Sequence, residues 1–193
     1  MIRQSACGAA GRCFAVASYE GLWLSPAFII HRMQTINETY GTLEARSSGR
    51  FKEEREAWTT ALLALGFKEM GEPDSWVEIE MLENTPDTKL RRLDQSTGHN
   101  KIEILNIEVV AWEEHVDDAI QVIRQKCARA YPPDFGLVVM GRSGKFIDLN
   151  ATVEAIRSIR VPFAEIWILG RPLDAHERVQ MVRLFPKQDG YNF

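Results

Sequence analysis

The sequence predicts an α/β domain with a mixed central sheet flanked by helices. Three observations carry that reading. Residues 76–81 alternate with period two, residues 101–112 are apolar on both parities, and helical apolar stripes precede and follow them. Alternation marks a strand buried on one face, whereas apolarity on both parities marks a central strand.

Composition sets the outer limits. The 193 residues suit one domain, and 45% hydrophobic with 26% charged residues is ordinary for a globular core with a wet surface. No apolar run approaches the ~18–20 residues that span a bilayer, so no membrane role is expected. A formal charge of -4 argues against non-specific coating of nucleic acid and leaves room for a local basic groove. Cys7, Cys13 and Cys127 are odd in number and lack paired spacing. They fit neither a disulfide framework nor a zinc site, and a reducing cytoplasm follows.

Residues 1–48 read as a poorly structured N-terminal extension and residues 49–193 as the domain. Arg3 and the small residues after it hint at a secretion signal, but Arg12 and Glu20 interrupt its apolar region. Met33 is the alternative start of the chain.

From Arg50 to Leu65 the spacing of Phe51, Trp58, Ala61, Leu62 and Leu65 predicts a helix ended by Gly66. Trp76–Met81 follows as a strand, with Val77, Ile79 and Met81 on one face and Glu78 and Glu80 on the other. A short strand is expected at Thr88–Gln95, then the polar turn Ser96–Asn100, then the central strand Lys101–Trp112. Glu114–Tyr131 reads as a second helix with the stripe Val116, Ile120, Ile123, Cys127 and Ala130, stopped by Pro132-Pro133. Cys127 lies on that stripe as a small hydrophobe. Phe135–Gly141 and Phe163–Leu169 read as short buried strands. Between them a third helix, capped by Asp148 or Asn150, carries Val153, Ile156 and Ile159. Arg178–Phe185 closes the chain as an edge strand, giving the order αβββαβαββ from residue 50.

Charge is divided unevenly. Pro73–Asp118 holds twelve acids against four Lys/Arg, and Ala119–Phe193 seven against eleven. Solvated faces account for most asymmetry of this kind; the alternative is an acidic metal site beside a basic, phosphate-binding wall.

The sharpest feature is Pro86-Asp87 followed by Glu108. If the strands at 88–95 and 101–110 form a hairpin turning near residue 98, Asp87 falls opposite Glu108. Directly opposed residues have Cβ atoms about 5 Å apart. Two carboxylates so placed repel unless one is protonated or a divalent cation bridges them, and oxygen ligands of this kind suit Mg²⁺. Burying Glu108 among Ile104, Leu105, Ile107, Val109 and Val110 costs several kcal/mol unless it is paired or metal-bound. A salt bridge to a neighbouring arginine, or a shifted hairpin register with Asp94 as the ligand, are the competing readings. Glu103 has the opposite parity to Glu108.

The αβββαβ order, Pro86-Asp87 and the acid on the next strand resemble the PD-(D/E)XK nuclease superfamily, the restriction-endonuclease-like fold, over residues 50–141. The resemblance implies Mg²⁺-dependent hydrolysis of phosphodiester bonds, with Asp87 and Glu108 as metal ligands. It also implies a lysine two residues after the acid, but Glu108-Val109-Val110 places valine there. Lys126 on the second helix, about 80° from the middle of the apolar stripe, is the substitute, a displacement known in some members. The family's additional helix glutamate falls on Glu54, which interrupts the apolar stripe between Phe51 and Trp58. Arg91, Arg92, Arg124 and Arg129 are the expected backbone contacts if nucleic acid is the partner. The alternative is a catalytically inactive relative that binds nucleic acid or a partner protein, itself included as a homodimer. A third reading is an unrelated α/β interaction module whose acids are surface charges. His31, His99, His115 and His176 show no metal-ligand spacing, and Gly141–Lys145 lacks the spacing of a phosphate loop.

Overall fold

The computed structural model describes residues 21–79, 86–94, 101–113, 115–116, 118–142, 146–170 and 178–192. Residues 1–20 with Cys7 and Cys13, Glu80 and Met81, the turn at 96–100 with His99, Glu114, the segment 143–145 and His176 lie outside them.

Eight strands of the described residues form one mixed sheet in the order β1 to β8. They are β1 (Trp23–Leu24), β2 (Ser75–Ile79), β3 (Thr88–Asp94), β4 (Lys101–Trp112), β5 (Phe135–Gly141), β6 (Glu165–Gly170), β7 (Gln180–Phe185) and β8 (Asp189–Asn192). The first four run antiparallel, β4, β5 and β6 run parallel, and β7 and β8 return antiparallel. The helices are α1 (Pro26–Tyr40), α2 (Thr42–Ser47), α3 (Lys52–Glu69), α4 (Ala119–Cys127) and α5 (Leu149–Arg157), so α3 to β5 reads αβββαβ. No helix among the described residues is long and apolar enough to cross a membrane.

Each face of the sheet carries its own core. On one face α3 lays Ala57, Ala61, Leu63, Ala64 and Phe67 over Val77, Leu90, Ile107, Val138 and Trp167. On the other, α4 and α5 supply Ile120, Ile123, Val153 and Ile156 over Leu137, Val139, Ile166 and Ile168. Along β4 the odd residues therefore turn toward α3 and the even ones toward α4. Small alanines let α3 approach closely, and a buried hydrogen bond of 2.7 Å between Thr60 Oγ1 and Thr88 Oγ1 pins it to β3.

Several expectations are corrected. Residues 23–47 are not a poorly structured extension. Ser25 caps α1, and its Ile29, Met33 and Ile36, a helical spacing, are buried. Met33 sits in the middle of that helix, so a chain starting there would lack Ile29 and β1. Gly66 does not end α3: the helix runs on to Glu69 because Phe67 is buried edge-on against Trp167, and it stops before Gly71, whose φ is 83°. Burial of that ring outweighs the ~1 kcal/mol that glycine costs inside a helix. The second helix is shorter than predicted, since the Asp118 side chain accepts from Ile120 N and fixes the start. Asp148 rather than Asn150 caps α5. The strand at 180–185 is not an edge, because β8 pairs with it.

Candidate active site

The β3–β4 hairpin has the register expected from its sequence, with Thr88 opposite Ile107 and Asp94 opposite Lys101. Asp87 is the residue just before β3, and the same register sets it against Glu108. As β3 begins only at Thr88, the next β4 amide lacks a strand partner, and Asp87 Oδ2 accepts from Val109 N at 2.8 Å. The Asp87 carboxyl is shifted up, first by burial and then by the Glu108 charge; the Val109 amide and the Lys126 and Lys52 ammoniums pull it back.

Glu108 is 2% exposed in the middle of a central strand. Its Oε1 accepts from Lys126 Nζ on α4 and, at 3.2 Å, from the Tyr131 hydroxyl just beyond that helix. Its Oε2 is buried without a hydrogen-bond partner among the described residues. Buried polar atoms are rarely left so, and a carboxylate oxygen is the costliest to orphan. Desolvation and the Glu108 charge push the Tyr131 phenol up to about 12, so it remains a donor. Val110 projects from the same face of β4 and packs against the second core.

Glu54 is elsewhere. It faces α1, 3.9 Å from Arg32, beside Leu24, Ile29 and Ile79, and burial raises its pKa. The α3 glutamate that feels the Asp87 charge is Glu56, two residues on and therefore some 200° around the helix. It is 3.3 Å from Lys52, and its carboxyl is pushed up to about 7 by burial and then by the Asp87 charge. Thr60 donates its hydroxyl hydrogen to Glu56 O and can then accept from the Thr88 hydroxyl. Sequence reasoning passed over Glu56, Lys52 and Tyr131. The available signal was Thr59-Thr60, a polar pair between Trp58 and Ala61, with Thr60 one turn beyond Glu56.

The arginines are divided. Arg91 lies on the Glu108 face between Trp23 and Trp76, whereas Arg92 lies over Phe67 on the opposite face, 3.5 Å from Glu103. Arg124 and Arg129 on the α4 side are exposed.

The donor set suits a hard divalent cation. Asp87 and Glu108 offer carboxylate oxygens on one face, and Glu108 Oε2 is unsatisfied. Among the described residues no three His, Cys, Asp or Glu side chains converge as a full protein cage requires. Mg²⁺ does not require one, since it commonly takes one or two carboxylates and completes its shell with water and phosphate.

The raised Glu56 pKa has a consequence for stability. The folded protein keeps this carboxyl protonated where the unfolded chain ionises it near 4.5, so its stabilising contribution is complete below that pH and is lost as pH rises through about 7. Glu56→Gln stays neutral. It is expected to add on the order of 1–2 kcal/mol at about pH 8, after allowance for solvent screening, and nothing near pH 4. Urea melts at both pH values check this, and an equal gain at each would contradict it.

No family model and no curated protein matches the chain. A solved structure, the MspJI restriction endonuclease in complex with a 27-mer oligonucleotide, superposes with a TM-score of 0.40 at 13% identity. The match covers 84% of this chain, which spans 33% of the length of that one.

Proposed function

We propose that this protein is a metal-dependent nuclease-like phosphodiesterase of the PD-(D/E)XK kind, with the motif lysine supplied by α4. One observation carries the reading: Lys126 bonds the buried carboxylate of Glu108 on the face shared with Asp87. Valine occupies the usual lysine position, and an ammonium reaches the same carboxylate from the neighbouring helix.

Asp87 and Glu108 would hold Mg²⁺. When bound, the ion would polarise the phosphate and lower the pKa of its water. Lys126, oriented by Glu108, places positive charge where the phosphate accumulates negative charge in the transition state. Tyr131 holds Glu108 in one rotamer through its hydroxyl. Glu54 has no part in this scheme.

The test is Mg²⁺- or Mn²⁺-dependent cleavage of DNA and RNA by the wild type and by Glu108→Ala. Loss of cleavage with folding retained is expected. An absence of cleavage by the wild type would favour a second reading, an inactive relative that binds nucleic acid or protein, for which Val110 is the supporting residue.

A further inference from the structure

Among the described residues no helix covers the upstream half of the β1–β4 face that carries Glu108. Helices α1 and α3 occupy the opposite face, and Ile102 and Ile104 stand 59% and 51% exposed. On this face the ladder sets side chains in rows. The first row is Trp76, Arg91 and Ile104 across β2, β3 and β4. The second is Trp23, Glu78, Lys89 and Asn106 across β1 to β4. The third is Asp87 and Glu108. Successive rows are two residues apart along each strand, or about 7 Å, close to the spacing of consecutive phosphates in an extended single strand.

The Arg91 guanidinium lies 4.8 Å from the ring centroids of both Trp23 and Trp76. Among the described residues no carboxylate forms a salt bridge with it. Two indoles and a guanidinium, each half-buried on this sheet face, make a surface for flat, electron-rich rings and for phosphate. Indole and guanidinium planes bind nucleobases through π-faces that every base has, but only where the bases are unpaired. A duplex hides those faces.

We infer that Trp23, Trp76 and Arg91 form a base-stacking platform for single-stranded nucleic acid, which leads the strand along β3 and β4 to Asp87 and Glu108. This rests on the nuclease reading for the direction of the strand and deepens it by naming the substrate class.

Fluorescence anisotropy of a labelled short oligothymidylate in EDTA tests it, because chelation separates binding from cleavage. The wild type and Glu108→Ala are expected to bind the single strand about tenfold more tightly than a duplex of equal length or an abasic strand. Trp76→Ala and Arg91→Ala should each lose about tenfold, while Trp76→Phe, which keeps an aromatic face and controls for folding, should retain binding. Equal affinity for the abasic strand or the duplex would overturn the platform. So would unchanged binding by Trp76→Ala, or a wild-type homodimer that Ile104→Asp dissociates. Base-dependent binding without any Mg²⁺-dependent cleavage would keep the platform and remove the nuclease reading. Cleavage indifferent to Trp76→Ala would do the reverse.

Discussion

Lys126→Ala is expected to lower the unfolding free energy by about 3–5 kcal/mol. The Glu108 side chain is 3% exposed and that of Lys126 18%, so the pair is desolvated on one side and nearly so on the other. Truncating the lysine leaves a buried carboxylate whose one remaining partner among the described residues is the Tyr131 hydroxyl, and its second oxygen is already unsatisfied there. The cost comes from the stranded charge more than from the lost attraction. Lys126→Ala combined with Glu108→Gln should therefore recover most of the loss, although each change removes an interaction. Millimolar Mg²⁺ should stabilise Lys126→Ala more than the wild type, as the ion would neutralise the carboxylate in place of the ammonium. Urea melts of the two single variants and the double variant give the coupling energy. A loss under about 1 kcal/mol for Lys126→Ala would mean that the pair is solvated.

The second large effect concerns chemistry. If the ammonium stabilises the transition state, Lys126→Ala should lower kcat by about 10²–10³, the usual effect of removing one such donor. Its origin along the chain should matter less than its location. Val110 projects from the same face as Glu108, two residues on, so Val110→Lys in the Lys126→Ala background returns the ammonium from the strand. At least about tenfold recovery is expected, with the remainder lost to imperfect placement. Activity is to be normalised to folded protein, because Val110 packs in the second core and a lysine there is costly. Unchanged kcat in Lys126→Ala, or no recovery in a folded double variant, would remove the ammonium from the mechanism.

What was legible in the sequence follows from which forces were locally encoded. The β3–β4 register was readable because strand parity and a polar turn leave few alternatives. Glu108 was readable because an acid on a strand apolar on both parities has to find a partner, and Lys126 because it borders the stripe of the next helix. Glu54 misled for a physical reason. Stripe reasoning assumes a helix with one buried face, but α3 lies between the sheet and α1 and is buried on both sides. Glu54 faces α1, and Glu56, on the side that looked polar, is the one that feels the Asp87 charge. Helix α1 carried its signal in Ser25-Pro26 and in the spacing of Ile29, Met33 and Ile36, but a leader-like start obscured it. Strands β1 and β8 are too short to show a period.

The order of strands in space repeats their order along the chain, from β1 to β8. During synthesis each strand from β2 onward meets a neighbour that has already been made; the widest gap is β1 to β2, across residues 25–74, and the later pairings close shorter loops. Glu56, Asp87, Glu108, Lys126 and Tyr131 have all been made before β6 begins. The residues of the candidate site can thus leave the ribosome before β6 and β7, whose Ile166, Ile168, Val182 and Leu184 then complete the core beneath α4.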